Sequence, residues 1–379
     1  MNLDFSDDQK ALKEQINSFL RKKCSPERRR KILEGPEAFD RELYKGLAEL
    51  GGLGMAIPEQ FGGIGLTDLE LCVLAEELGR VIAPVPVLSS IYLCAELILR
   101  AGSEEQKRLW LPRLADGSAV GVLASTDGSG TSFPKAVDAR ATNGQLHGVK
   151  SPVLYGDIAD FAIVVARPDA DEEGADGASL YLVDLNGPGV SRQGLNTIEV
   201  TRSYARIEFA GAAGELLGQK GEADTLVRGV MDRAAVLLAF EQLGGADQAL
   251  EMARDYALER MAFGRPIGSL QAIKHMLADM YVSATLARSN CYYGAWALSS
   301  GAPELPMAAA TARLSATQAF LHCAKNNIQI HGGMGFTWEF DCHLYYRRAN
   351  SLSVDLGGQH GWQERLIGYM RDEWAGLAQ

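Results

Sequence analysis

The stretch YALERMAFGRPIGSLQAIKHMLADM, residues 256 to 280, decides the fold that the sequence predicts. Apolar residues recur at helical spacing as far as Arg260, and the pattern then breaks at the pair Phe263-Gly264. A second helix is predicted to restart near Gln271. An arginine beside a helix break suits an anionic ligand, because the guanidinium fork matches phosphate oxygens. Taken alone, the stretch also fits a tight connection between two helices.

A second informative stretch is NNIQIHGGMGFTWEFDCHLYYRRA, residues 326 to 349. Its paired glycines, Gly332 and Gly333, allow the backbone to approach a ligand closely because they carry no side chain. Here too a tight helix connection is the simpler interpretation. The two stretches become specific only when they are considered together.

Along the whole chain the pattern of apolar residues changes twice. Helical spacing fills residues 1–117, and short β-rich runs with Gly, Asn and Asp turns fill 118–223, where the sequence TNGQ predicts a hairpin. Residues 224–379 return to helix, and their long amphipathic segments suit a four-helix bundle: 225–262, 269–300, 305–331 and 360–376. We therefore predict an α+β protein with three domains in this order.

Composition excludes several classes of partner. The chain has 379 residues, 47% of them hydrophobic and 22% charged, with a net charge of -11 that repels nucleic acids and anionic membranes. We see neither a signal peptide nor an apolar run long enough to span a bilayer, and we expect a cytoplasmic protein. The basic run RKKCSPERRR is interpreted as a solvated helix end in preference to a phosphate or CoA site.

Motifs for common active sites are missing. The sequence has no GxSxG elbow, no P-loop and no GxGxxG after a strand. His331, His343 and His360 lie near one another in the chain, but their spacing fits no metal-ligand pattern, and the six cysteines form no CxxC pair. We expect no metal site, and any cofactor must bind in another way.

Together the two stretches resemble the acyl-CoA dehydrogenase family over essentially the whole chain, and GLGMAIPEQFGGIGL near the N-terminus resembles it as well. The resemblance implies FAD as cofactor, an N-terminal helical domain, a middle β domain and a C-terminal four-helix bundle. In the family, the element matched by Arg260, Phe263 and Gln271 contacts FAD across a subunit interface. The element matched by Gln329, Gly332 and Gly333 holds the FAD pyrophosphate and adenosine from a neighbouring chain.

Departures from the family pattern concern the flavin first. The family element TExGAGSD, which lines the flavin, corresponds to a degenerate stretch here that keeps the hydroxyls of Thr126 and Ser132. A family W-x-T element is replaced by Pro152-Val153-Leu154. The resemblance therefore implies FAD binding with altered contacts to the flavin.

The largest departure concerns the catalytic base. Many members carry a Glu-Gly pair near the C-terminus, where this chain has Leu356-Gly357, and other members carry the Glu at a position that aligns with Ala234. Neither residue here can accept a proton. In AAVLLAFEQLGGA, residues 234 to 246, Glu241 lies about two turns beyond Ala234 on the same helical face.

Glu241 is therefore our candidate base. Its helical neighbours Leu237, Leu238, Gly244 and Gly245 are apolar or small, and we expect an unpaired carboxylate with room for a ligand beside it. The alternatives for Glu241 are an ion pair with an arginine of the bundle and a solvent-facing position at an interface. For the glycines the alternative is close helix packing. Asp355, next to Leu356, is a second candidate base, and Asp232 is a third.

The implied reaction is α,β-dehydrogenation of an acyl-CoA thioester to the trans-2-enoyl-CoA. The Leu356 backbone N–H would polarise the thioester carbonyl, and electrons would pass to an electron-transfer flavoprotein. The glycines suggest a branched, cyclic or steroidal acyl group, and the resemblance implies a homotetramer or dimer, or an α2β2 assembly with a paralogous subunit. Two alternatives remain open: a non-catalytic subunit of a heteromer, and an acyl-CoA oxidase.

Overall fold

The computed structural model describes residues 5–35, 37–128, 137–168 and 177–377, with side chains of the last helix described as far as Arg371. The chain divides into two compact units. The bundle unit comprises Met1–Arg30, Asp68–Ala83 and Ala235–Gln379, and the sheet unit comprises Lys31–Thr67 and Pro84–Ala234. The boundary between the units falls within two helices, α2 (Pro26–Glu34) and α7 (Ala223–Glu259).

Helices make up most of the bundle unit. In addition to α7 they are α1 (Asp7–Lys23), α4 (Asp68–Arg80), α8 (Gln271–Ser299), α9 (Leu305–His331), α10 (Cys342–Val354) and α11 (Gln359–Leu377). All four predicted C-terminal segments are helical, as the apolar spacing indicated. The short helix α10 was not predicted as a separate element.

Small side chains determine how closely α9 packs. Its buried positions are dominated by alanine, among them Ala308, Ala312 and Ala316, and it packs along α8, α10 and α11. Alanine loses no side-chain entropy in a helix and keeps the interaxial distance short. One arginine, Arg313, interrupts this alanine-lined surface and is nevertheless fully buried.

The basic run near the N-terminus is only partly the solvated helix end that we predicted: Arg21, Lys22 and Lys23 are exposed in the last turn of α1, but the arginines in the second half of the run are buried or half-buried. Arg29 is only 6% exposed, and its guanidinium donates to Cys24 O at 2.9 Å and to Asp341 Oδ2 at 2.8 Å. Arg30 donates to Asp341 Oδ1 at 2.7 Å. Since Asp341 precedes the first residue of α10, the two arginines link α2 to the start of α10.

The sheet unit contains α3 (Arg41–Glu49), a π-helical segment (Leu88–Ala95), α5 (Glu96–Ala101) and α6 (Glu104–Ala115). Within its described residues it has eight strands: β1 (Gly121–Ala124), β2 (Arg140–Thr142), β3 (Gln145–Leu154), β4 (Phe161–Pro168), β5 (Ser179–Asp184), β6 (Val190–Leu195), β7 (Tyr204–Ala213) and β8 (Glu215–Leu217). Their order is β6-β7-β3-β2-β4-β5-β8, with β1 beside β4.

Strand β4 forms the centre of this sheet. It pairs in parallel with β1 and β2 and antiparallel with β5, and its first six residues are all buried. A continuous apolar run is what a strand covered on both faces requires. The TNGQ hairpin is confirmed, because Thr142 pairs with Gln145 across a turn in which Asn143 and Gly144 both have positive φ.

Membrane-spanning helices are absent from the part of the chain that the structure describes, since no helix there is both long and apolar enough.

Candidate active site

Glu241 lies in the buried interior of α7, with 4% of its surface exposed. Its Oε1 is 3.4 Å from Nη1 of Arg348 on α10. The expectation of an unpaired carboxylate was therefore wrong, and the alternative of an ion pair with a bundle arginine describes the structure. The negative charge on Glu241 is compensated by a guanidinium within the bundle unit.

Arg348 has no exposed surface, and it contacts backbone carbonyls in addition to Glu241. Its Nη2 donates to Ile82 O at 3.2 Å, and its two Nη atoms lie 3.4 Å from Ala83 O. These carbonyls follow the end of α4 at Arg80, where Ile82 adopts a positive φ of 42° and the chain leaves the helix. Arg348 thus satisfies backbone carbonyl oxygens of the segment that follows α4.

The glycines that follow Glu241 serve packing, and neighbouring atoms fill the space beside them. A Cβ atom on Gly244 would lie 1.8 Å from Glu76 O, and one on Gly245 would lie 2.4 Å from the ring of Phe320. Gly79 on α4 is equally close to α7, because its Cβ would lie 1.8 Å from Glu241 O. The inference of a wide cleft from these glycines was wrong, since the space beside them is filled by α4 and α9.

Asp355 and Leu356 form the turn after α10. Asp355 is half-buried, and its carbonyl oxygen accepts a hydrogen bond of 2.8 Å from Nη2 of Arg313. Leu356 is 7% exposed and has a φ of +57°, which is rare and costly for a branched side chain. Among the described residues the Leu356 N–H has no acceptor, whereas the Leu356 carbonyl accepts from Trp362 Nε1 at 3.0 Å. A free donor is therefore present at this turn.

Two residues that matter at this site, Arg313 and Arg348, were not singled out from the sequence. Arg313 is the only charged side chain in LPMAAATARLSATQAF, residues 305 to 320. A lone cation among small apolar residues at helical spacing was a usable signal. For Arg348 no local signal exists, because the neighbouring Arg347 looks the same in the sequence. Asp232, the third candidate base, is buried on α7 in the sheet unit.

The predicted FAD contacts begin at the end of α7. Arg260 follows the last helical residue and is exposed, and Phe263 and Gly264 form the tip of a two-residue hairpin between β9 (Met261–Ala262) and β10 (Arg265–Pro266). Phe263 has a φ of +53° and is 91% exposed. A large aromatic residue held in a strained conformation and left in solvent is typical of a contact with another molecule.

Gln271 is the first residue of α8, a helix whose N-cap, Leu270, makes no side-chain capping bond. The N–H groups of the first turn are therefore available to an anion. At the end of α9, Gln329 is exposed, and a Cβ atom on Gly332 or Gly333 would meet no other atom within 4 Å. A guanidinium, an amide, a helix N-terminus and open glycines are each a kind of group that can bind a pyrophosphate.

In the sheet unit only part of the predicted flavin contact can be located. Thr126 is half-buried, and its carbonyl oxygen accepts from Ser151 N at 2.8 Å. The next residue, Asp127, lies 2.5 Å from Nζ of Lys150. Burial lowers the pKa of Lys150, and the ion pair with Asp127 offsets part of that shift. Ser132 lies outside the described residues.

The histidines have structural contacts. His331 Nδ1 lies 2.9 Å from Asn327 O, and its ring stacks on Tyr256 at 4.1 Å between centroids. His343 Nδ1 lies 3.0 Å from Phe340 O. Burial lowers the pKa of both rings. Across the described ranges, no group of three or more His, Cys, Asp or Glu side chains could hold a metal ion.

Comparison with known proteins gives matches at both ends of the chain. The family model for the N-terminal domain of acyl-CoA dehydrogenases matches residues 6–118, and the model for the C-terminal domain matches residues 225–368. Acyl-CoA dehydrogenase IpdE2 of Mycobacterium tuberculosis is 34% identical over 349 residues, which is 91% of this chain and 91% of that protein.

Solved structures agree with this match. The ChsE4-ChsE5 complex from Mycobacterium tuberculosis superposes with a TM-score of 0.87 at 29% identity, over 98% of this chain and 99% of that one. The Tcur3481-Tcur3483 steroid ACAD gives a TM-score of 0.86, also at 29% identity, over 97% of this chain and 99% of that one. The predicted order of N-terminal helices, central sheet and C-terminal helices is confirmed by these likenesses.

Proposed function

Because the chain belongs to the acyl-CoA dehydrogenase family, we propose that it catalyses the FAD-dependent α,β-dehydrogenation of an acyl-CoA thioester to the trans-2-enoyl-CoA. The observation that carries this proposal is the match of both terminal family models, together with a relative aligned over most of the chain. The electron acceptor that we propose is an electron-transfer flavoprotein.

Glu241 is the proposed base. It is a buried carboxylate on α7, 3.4 Å from the Arg348 guanidinium, and a carboxylate oxygen can accept a proton. In the reaction the α-proton moves to a carboxylate oxygen of Glu241, and the β-hydrogen departs with its bonding electrons. Asp355 is the alternative base, at the turn that follows α10.

The Leu356 N–H is the proposed donor to the thioester carbonyl. It has no acceptor within the described part of the chain, and a branched residue at positive φ is held there by the surrounding structure. A preorganised donor of this kind stabilises the negative charge that develops on the carbonyl oxygen, typically by about 2.7–4 kcal/mol. The neutral side chain of Leu356 takes no part in proton transfer.

The residues proposed to hold FAD are Arg260, Phe263, Gln271, Gln329, Gly332 and Gly333, with Thr126 and Ser132 near the flavin. Bound FAD would supply the acceptor for the hydrogen and electron pair that leave the β-carbon. Arg260, Gln271 and Gln329 are exposed on the single chain, which suits a ligand shared with a second subunit.

A multimer is proposed for the same reason. The bundle unit exposes a set of large apolar side chains that a monomer rarely leaves in water: Leu258, Phe263, Tyr281, Leu286, Phe336 and Trp338. A homotetramer or dimer would cover them, as would an α2β2 assembly with a paralogous subunit. A steroidal or other bulky acyl group is the proposed substrate class, supported by the likeness to the steroid ACAD.

A second candidate function is favoured by the contact between Glu241 and Arg348. A carboxylate that is 4% exposed and paired with a buried guanidinium could serve as a structural link between α7 and α10. In that case the chain would be the non-catalytic subunit of a heteromer whose partner supplies the base. One structural neighbour, the ChsE4-ChsE5 complex, contains two differently named chains, which supports a heteromer as the second candidate.

One experiment separates the two candidates. The wild type, Glu241→Gln and Glu251→Gln are purified alone and together with a paralogous subunit, and the loss of flavin absorbance is followed without oxygen after addition of butyryl-, octanoyl-, isobutyryl- and steroid-ring acyl-CoA. Glu251 is a matched control, because it also lies on α7 and binds an arginine, Arg80, at 2.9 Å.

If Glu241 is the base, Glu241→Gln keeps its FAD and bleaches roughly 10²–10⁴-fold more slowly, while Glu251→Gln resembles the wild type. Near-normal bleaching by Glu241→Gln would remove Glu241 as the base. Activity that appears only with the paralogous subunit and survives Glu241→Gln supports the second candidate.

A further inference from the structure

Arg313 contacts the turn that carries the proposed thioester donor. It lies on α9, is 1% exposed, and has no carboxylate within ion-pair distance in the described ranges of the chain. Burial lowers the pKa of Arg313 to about 10, while the charges of Asp355 and Glu241 act in the opposite direction. Burying a cation costs free energy, so the hydrogen bonds that Arg313 makes must offset that cost.

Those contacts join three helices. Nη1 donates to Gln242 Oε1 on α7 at 2.6 Å and to Thr317 Oγ1 on α9 itself. Nη2 donates to two carbonyl oxygens at the C-terminal end of α10, those of Leu352 and Asp355, the second at 2.8 Å. The cation thus lies at the negative end of the α10 dipole, where carbonyls lack intrahelical partners.

The Asp355 carbonyl and the Leu356 N–H belong to the same peptide group. Since a trans peptide is planar, its N–H points away from its C=O, so a guanidinium fixed on the Asp355 oxygen directs the Leu356 N–H to the opposite side. A cation on the oxygen also polarises the amide and makes its N–H a stronger donor. Trp362 Nε1 donates a hydrogen bond of 3.0 Å to the next carbonyl oxygen, that of Leu356.

We propose that Arg313 is a positioning residue, which orients and polarises the Leu356 N–H toward the thioester oxygen of the substrate. The proposal rests on the proposed function, in which that N–H is the carbonyl donor. Arg313 itself does not touch the substrate. It acts through one peptide group, and Gln242, the neighbour of Glu241 in the chain, anchors its other nitrogen.

The test compares Arg313→Met with Arg313→Lys and with a matched control, Arg29→Met. Arg29 is also buried, and it binds Cys24 O and Asp341 at the opposite end of α10. Each variant is characterised by its crystal structure and by the carbonyl stretching frequency of bound trans-2-octenoyl-CoA labelled with ¹³C at the thioester carbonyl. Its kcat, thioester affinity and thermal stability are measured as well.

In Arg313→Met we expect Leu356 to leave positive φ, the carbonyl downshift seen with wild type to fall by at least half, and kcat to fall roughly 10–100-fold with a smaller change in thioester affinity. Arg313→Lys should recover part of the lost carbonyl downshift and part of the lost kcat, because an ammonium can reach one carbonyl. Arg29→Met should lower thermal stability while the Leu356 turn, the downshift and kcat per bound flavin stay as in wild type.

Two results overturn the proposal: a Leu356 turn that is unchanged in Arg313→Met, or a changed turn with a full carbonyl downshift and normal kcat. If Arg313→Met does not fold, Arg313→Lys is judged by the same criteria. If wild type binds no CoA thioester, the proposed function fails, and the crystal structures alone then decide whether Arg313 fixes the Leu356 peptide.

Discussion

Glu241 on α7 and Arg348 on α10 form a buried ion pair, with 3.4 Å between Oε1 and Nη1. Arg348 also binds the carbonyls of Ile82 and Ala83, so one guanidinium joins α7, α10 and the end of α4. Breaking a buried pair from one side leaves an uncompensated charge, which costs more than the pair contributes.

We therefore expect Arg348→Met to lower the free energy of unfolding by about 3–5 kcal/mol. The double variant Glu241→Leu with Arg348→Met should lose less than the sum of the two single changes, because neither charge is then left alone. Urea unfolding of the four proteins measures this coupling. Arg254→Met is the control, since its pair with Asp255 is exposed and should change stability by less than about 1 kcal/mol. Additive losses would show that Glu241 and Arg348 are independent.

The close approach of α4 to α7 depends on Gly79 and Gly244. A Cβ on Gly244 would lie 1.8 Å from Glu76 O, so Gly244→Ala must push the helices apart. We expect a loss of about 1–3 kcal/mol or more, measured as a lower melting temperature. Gly368→Ala in α11 is the control, because its Cβ would meet nothing within 4 Å and alanine favours a helix by roughly 1 kcal/mol. A stable Gly244→Ala would contradict so close a spacing of the two helices.

Glu76 makes stability depend on pH. Burial raises its pKa, but ion pairs with Lys13 at 2.7 Å and Arg288 at 3.0 Å outweigh burial, so that the pKa lies below its usual 4.5. A carboxyl whose pKa is lower in the folded state stabilises the protein above its unfolded pKa and loses that contribution as pH falls through the folded pKa. We expect this part of the stability to disappear progressively below about pH 4.5.

Glu76→Gln should be less stable than wild type at pH 7, and the difference should shrink as the pH drops through that range. Chemical unfolding at several pH values tests this. The pKa of neighbouring Glu77 is raised by burial, so its contribution has the opposite sign and is present in both proteins. Exposed Glu49, paired with Lys45, provides a control whose substitution by Gln should leave the pH profile unchanged.

The hairpin tip at Phe263 should matter for the cofactor and for assembly more than for the fold. Phe263→Gly removes an exposed ring and relieves a positive φ, so thermal stability of the isolated chain should not fall. We expect a lower ratio of flavin to protein absorbance and a smaller assembly in size-exclusion chromatography. Asn143→Gly, at the matching tip of the β2–β3 hairpin, should change neither. Full flavin content in Phe263→Gly would contradict the proposed FAD contact.

Much of the fold followed from local patterns in the sequence. The apolar spacing located all four long C-terminal helices, and Asn143-Gly144 located a hairpin, because such signals act over a few residues. The order of helices, strands and helices followed from the change in periodicity. The short strands β6 and β8 and the helix α10 were missed, since none of them carries a clear apolar period of its own.

The sequence by itself determined most of the elements, the family motifs and the presence of one carboxylate, Glu241, in an apolar helix. Only the tertiary structure decided that this carboxylate meets Arg348, that the space beside Gly244 and Gly245 is filled by neighbouring helices, and that Arg313 binds the peptide of Leu356. The physical reason is distance along the chain. A helical period fixes neighbours three and four residues apart, whereas a partner 107 residues away is chosen by how the helices pack.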